Sequence, residues 1–258
     1  MKRRTLFGMV CVIAAAAAMA RAADAPAGTE TPAAPRQKDA AAAEALRAAG
    51  AQMHVDAQGR IDSLLLANPK ATDADLAPLA GLAGVESLEI VGGAISDAGL
   101  AHLRGLPLVR LYLNSIDVTD AGLKHLAGLS SLEALSLQHT KITGKGLAQL
   151  AGLADLEVLN LAKAPVGDDD LRYLKKLTRI ETLSLEGTRV TGAGLVNLKG
   201  MPRLRTLNLK NCAVADDDLE HLSGLSNLRM LYVKGTKVTE DGAAKFKEKM
   251  PGLAIFFH

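Results

Sequence analysis

"LEALSLQHTKITGKGLAQLAGL" occupies residues 132–153. Its aliphatic residues follow two rhythms. Leu135 and Leu137 are two apart, the spacing that puts side chains on one side of a strand. Leu147, Leu150 and Leu153 keep to one face of a helix. Between the runs, Thr143 can cap a helix start, and Gly152 permits the left-handed turn that ends one. The stretch reads as strand, turn, short helix, turn. It holds too few apolar residues to bury them by itself.

The same rhythm recurs along the chain. Aligned on Ile61, Val85, Leu108, Leu132, Leu156, Ile180, Leu204 and Leu228, the sequence falls into eight units of 24 residues, the second one shorter at Pro107 and the last one longer near Met250. Position 4 of every unit is leucine, from Leu64 to Leu231, and position 6 is Leu, Ile or Val. Position 11 is aliphatic, and positions 16, 19 and 22 are almost all leucine. Position 12 carries Thr or Ser in most units, and position 21 carries Gly in most. Stacking such units makes one continuous interior that no unit could form alone. The expected fold is an α/β solenoid, a right-handed β-α superhelix with a parallel sheet on its concave face and short helices on its convex face.

The pattern L-x-x-L-x-L-x-x-T-x-[IV]-[TS]-x-x-G-L-x-x-L-x-x-L resembles the leucine-rich repeat family, especially secreted bacterial members with 24-residue units. The resemblance is specific for the fold and nearly silent on function, because the family is defined by its framework. One column departs from it. Position 9, Asn or Cys in the family, is here Pro69, Gly93, Ile116, Thr140, Ala164, Thr188, Cys212 and Thr236. Ile116 and Ala164 have no polar group to tie turn backbone together, so irregularity is expected in units three and five.

Outward strand positions 3, 5, 7 and 8 should line the concave face. They hold Arg110, Tyr112, Asn114, Gln138, His139, Asn160, Lys163, Glu186, Asn208, Lys210, Asn211, Tyr232 and Lys234. Amides and charges there can bond to a partner, and Tyr112 and Tyr232, two of only three tyrosines, can anchor it. The expected partner is a protein, peptide or envelope glycan. A solvated sheet face would also be polar, and the rival reading is a structural or assembly protein of the cell envelope, packed through edges and helices.

The ends read differently from the middle. Lys2, Arg3 and Arg4, an apolar run from Leu6 to Ala20, and Ala20-Arg21-Ala22 read as a signal peptide over 1–22, making the protein exported, to the periplasm or beyond, with no membrane span once it is cleaved. Lys2, Arg3, Arg4 and Arg21 leave with it and no acid does, taking the whole chain's formal +2 to −2. That balance removes the electrostatic argument for nucleic-acid binding. Residues 23–37 read as an Ala/Pro-rich tether, 38–60 as an N-terminal cap of helix plus hairpin, 61–252 as the eight repeats, and 253–258 as a capping strand with Leu253 and Phe256 inward.

No catalytic signature occurs: no Gly-x-Ser-x-Gly, phosphate loop or His-Glu-x-x-His. No cofactor or metal is expected. Asp168-Asp169-Asp170 and Asp216-Asp217-Asp218 lie two units apart, too far to share one calcium ion, and read as acids favouring helix starts. His102 and His125 make at best half a zinc site and read as solvated helix residues. Cys212 falls in a buried column and reads as core.

Overall fold

The computed structural model describes residues 36–258; the expected signal peptide and the tether up to residue 35 lie outside the described residues. A short 3-10 turn, Gln37–Asp39, leads into helix α1 (Ala40–Ala48), which buries Ala43 and Leu46. Gly50, at φ +88°, ends it. Strand β1 (Gln52–Val55) then pairs antiparallel with β2 (Ile61–Leu66). The hairpin turn is held by Asp56, whose carboxylate accepts from the backbone N–H groups of Gln58 and Arg60 at 2.9 and 2.8 Å.

From β2 onward each unit contributes one strand, and each strand lies beside its predecessor. These are β3 (Ser87–Val91), β4 (Arg110–Asn114), β5 (Ala134–Ser136), β6 (Val158–Asn160), β7 (Thr182–Ser184), β8 (Thr206–Asn208), β9 (Met230–Tyr232) and β10 (Ala254–Phe256). The ten strands form one sheet in sequence order, parallel except for β1. Leucine at position 4 pairs with leucine at position 4 from Leu64 to Leu231 without a slip. The irregularity expected in units three and five is absent. Ile116 and Ala164 are buried at 2% and 1% exposure, and the Ala164 N–H finds the Leu161 carbonyl at 3.0 Å. Apolar packing replaces the missing side-chain bond. Thr140, Thr188 and Thr236 do bond there, each hydroxyl donating at 2.7 Å to the carbonyl three residues back.

The convex elements are mostly 3-10 turns and not α-helices: Asp73–Leu79, Gly99–Leu103, Ala148–Gly152, Asp168–Lys176, Gly192–Gly200 and Asp216–Leu222. The spacing explains it. Leucines at positions 16, 19 and 22 are three apart, and a helix with three residues per turn stacks such side chains on one face. Single α-helical turns occur at α2 (Asp120–Leu123) and α3 (Gly144–Leu147). In the last unit the core residues are Ala243, Phe246 and Met250, spaced three and then four. That spacing suits 3.6 residues per turn, and the segment is a regular α-helix, α4 (Glu240–Lys249).

The strand register also corrects the C-terminal end. Ile255 pairs with Leu231, and Phe256 with Tyr232. Ile255 and Phe257 therefore pack against the core, while Phe256 joins the concave face. The residue gained in α4 is given back before β10.

A ladder of carboxylates joins the units on the convex side, at the turns before positions 13–15. Asp73 accepts from Ser96 of the next unit, at 2.7 Å from the backbone N–H and 2.6 Å from the hydroxyl. Asp97 binds Thr119 the same way, Asp120 binds Thr143, Asp168 binds Thr191 and Asp216 binds Thr239. Two seams differ. Position 13 is Gly144 or Gly192, and the next unit's position 12 is Gly167 or Ala215, which has no hydroxyl. There the carboxylate comes from the same unit: Asp170 accepts from the Gly167 N–H at 2.9 Å, and Asp218 from the Ala215 N–H at 2.8 Å. A β-carbon at Gly144 would overlap Asp170, and one at Gly192 would overlap Asp218. In the forward seams it is position 15 that must be glycine: a β-carbon at Gly99, Gly122, Gly146, Gly194 or Gly242 would overlap the incoming carboxylate. Each seam has room for one carboxylate, supplied from either side. This accounts for both aspartate triplets, whose first members reach forward and whose third members cap their own unit.

Candidate binding surface

Positions 3, 5 and 7 of β2 to β10 form three columns across the concave sheet. Much of the centre is committed to the sheet itself. Asn208 is fully buried, and its amide donates to Ser184 Oγ at 3.2 Å and Glu186 Oε2 at 3.1 Å. Its carbonyl oxygen accepts from the Lys210 N–H at 3.0 Å. Asn160 caps the Ala162 N–H in the same way, and its amide lies 3.3 Å from Gln138 Oε1. Asn114 is buried and accepts from the Ser136 hydroxyl at 2.7 Å. Asn114 and Asn208 are therefore framework, not exposed recognition groups. Small residues flank them: Ala134, Ser136, Ala162, Thr182, Ser184 and Thr206 are all buried.

Position 8 behaves differently from the expectation too. Ser115, His139, Lys163 and Asn211 all have φ between 55 and 59°, and Gly92, Gly187 and Gly235 occupy the same left-handed turn elsewhere. The backbone N–H there still extends the ladder, as from His139 to the Ala162 carbonyl at 2.9 Å. The chain then turns off the sheet, so His139, Lys163 and Asn211 stand exposed at the rim beyond the strand ends.

Available side chains gather at the two ends of the face. Toward the C-terminal end, Tyr232 and Phe256 stack with ring centroids 4.8 Å apart, and His258 meets Phe256 edge-on at 6.1 Å. Lys210 Nζ lies 5.2 Å from the centre of the Tyr232 ring. Lys234 is exposed beside them. Toward the N-terminal end, Glu89 lies between Leu65 and Tyr112 in the position-5 column. Burial pushes its carboxyl above the usual carboxylate range. Arg110 is half-exposed next to Ser87. The sequence reading missed Leu65, Glu89, Phe256 and His258; continuing the position-5 and position-7 columns into the first units and the last strand reaches all four.

The remaining candidates are settled locally. Cys212 is in the core, its Sγ 3.0 Å from the Leu185 carbonyl oxygen, and burial raises its thiol pKa. His125 is not simply solvated: its Nδ1 is buried without a hydrogen-bond partner, and burial lowers its pKa. Among the described residues no three His, Cys, Asp or Glu side chains gather into a metal-binding group, and no helix is long and apolar enough to cross a membrane.

This geometry is that of a leucine-rich repeat solenoid. The family described as Leucine Rich repeat matches residues 128–151. Among solved structures, an internalin (inlF) of Listeria monocytogenes aligns with a TM-score of 0.51 and 21% identity, over 70% of this chain and 56% of that one. An internalin C2 (inlC2) of the same species aligns with a TM-score of 0.49 and 24% identity, over 73% of this chain and 84% of that one. This chain thus spans little more than half the length of the first of them. No curated protein matches the sequence significantly. The chain has the leucine-rich repeat fold, and one of its units matches the family by sequence.

Proposed function

We propose that the protein is a non-enzymatic binding module, exported from the cell, whose concave sheet docks a protein or peptide. One observation carries this reading. The core columns repeat almost without change, while the exposed ends of the concave columns differ from unit to unit and hold the face's aromatic rings and unshared charges. Lys234, at the C-terminal end of the face, has no carboxylate partner among the described residues, and neither does Lys163 on the rim beside the middle strands. Such a surface is broad and open, which suits recognition better than the enclosure most reactions require.

The assembly reading has less support. A permanent interface needs a contiguous apolar patch, yet Val196, at 40% exposure, is the one exposed large apolar side chain among the described residues.

Photo-cross-linking tests the proposal. A cross-linking residue at Lys163 or Lys234, on the concave rim and sheet, is compared with one at Lys175 or Lys199 on the convex side, in cells of the source organism. Concave positions are expected to trap a discrete partner and convex positions to trap none. Partners trapped only from Lys175 and Lys199 would move the binding surface to the other side.

A further inference from the structure

The N-terminal end of the concave face carries a groove of about 370 Å³, lined by Gln52, Met53, His54, Ser63, Leu65 and Glu89 among others. The hairpin builds it. Gln52 lies opposite Leu65 and His54 opposite Ser63, so β1 adds a wall beside the first two repeat strands. Ser63 and Ser87 pair across β2 and β3 to give one polar row, and Leu65 and Glu89 pair to give the next. Glu89 is thus a carboxylate set between an aliphatic side chain and the ring of Tyr112. No lysine, arginine or histidine forms an ion pair with it among the described residues. His54 is engaged elsewhere, its Nδ1 2.8 Å from Asp62 Oδ1.

A half-buried carboxylate without a counter-charge is costly unless something cationic completes it. The groove has the features a lysine or arginine side chain needs. Leu65 provides apolar surface for the methylene stem. The serine hydroxyls and the Gln52 amide can accept the remaining N–H groups of the head. The basic surfaces around Lys210 and Lys234 lie at the opposite end of the face; the nearer cation, Arg110, stands one strand beyond Ser87 and forms no ion pair with Glu89 among the described residues.

We propose that this groove binds the cationic side chain of a polypeptide partner, with Glu89 taking the ammonium or guanidinium head. The assignment rests on the concave face being the binding surface and names the chemistry of one subsite within it.

The test is a titration of the full chain, followed by backbone amide chemical shifts. The probes are Nα-acetyl-lysine methylamide, its arginine counterpart, and the neutral isostere Nα-acetyl-norleucine methylamide. Lysine and arginine probes are expected to shift the amides of Leu65, Ser87 and Glu89. Norleucine is expected to bind at least tenfold more weakly, and Glu89→Gln to weaken the cationic probes at least tenfold. Lys234→Glu, at the far end, is expected to leave probe binding unchanged. Equal binding of norleucine, or full binding to Glu89→Gln, would overturn the assignment. Failure here with concave cross-links intact removes the groove alone; convex-only cross-links remove the concave reading as well.

Discussion

Asp120 accepts two hydrogen bonds from Thr143 of the following unit, so Asp120→Ala leaves a backbone N–H and a hydroxyl without their acceptor. The expected loss is about 1–3 kcal/mol, read from the urea midpoint. Gly146→Asp alone should also destabilise, because its carboxylate would crowd Asp120's. Combining Asp120→Gly, Thr143→Gly and Gly146→Asp copies the arrangement at Gly144, Gly167 and Asp170, and should recover stability that the single changes lose. If the triple variant is no better than Gly146→Asp, the one-carboxylate rule is wrong. Two acids differ in their response to pH. The Asp216 carboxyl is held below the ordinary range, chiefly by the Thr239 backbone N–H. Its contribution is complete above the ordinary carboxylate pKa and is lost as pH falls through the lowered value. Asp216→Asn should therefore flatten the acid limb of the stability curve. Glu89 has the opposite sign, since burial raises its carboxyl. The charged form opposes folding at neutral pH, and that penalty disappears as pH falls through the raised value. The nearby ionisable side chains are His54 on β1, Asp62 on β2, and Arg110 and Tyr112 on β4. Glu89→Gln should be more stable than the parent at pH 7, with the difference closing on acidification.

Elements in this molecule are too short to stand alone; most strands have three residues. A turn such as Ala148–Gly152 holds its shape because Leu150 is completely buried among its neighbours. Leu150→Ala should cost about 2–5 kcal/mol. Because contacts run only between adjacent units, the loss should show first as faster amide exchange in β4 to β6, with β2 and β9 less affected. Helix α4 closes the array differently. Phe246 is nearly buried at 5% exposure and covers the last core layer together with Ile255 and Phe257. Phe246→Ala should loosen β9 and β10 before the rest unfolds. Exchange that rises uniformly over all ten strands would instead show one indivisible folding unit.

Over the whole molecule, the seams decide which units can be neighbours. Removing residues 108–131 would bring Asp97 against Thr143 and Gly146, a complete forward seam. Removing residues 132–155, an equally long and equally leucine-rich unit, would bring Asp120 against Gly167 and Asp170, two carboxylates in one space. The first deletion should fold with a cooperative thermal transition and the second should be measurably less stable; the reverse order would defeat the seam argument. The leucine columns, and with them the solenoid, were legible because every unit needs the same inward residues. Even the 3-10 turns were written in the three-residue spacing. The seams were harder to read. Asp168 and Asp170 look alike in a sequence, and only the residue each faces, Thr191 or Gly167, tells a link to the next unit from a cap on its own. The concave face was legible as a set of columns but not as a set of free groups. Whether Asn208 meets a partner or its own sheet depends on Ser184 and Glu186 beside it. Phe256 was misplaced because the extra residue in α4 hides the return to register.

The alternation of acid donors in the later units also bears on ancestry. A recombination event that copied a lone coil next to Gly144 or Gly192 would produce a mismatched junction, whereas copying an adjacent couple would reproduce two sound ones. Lengthening by descent in that half of the array is therefore favoured in even steps, and relatives that differ in size there should differ by couples of coils.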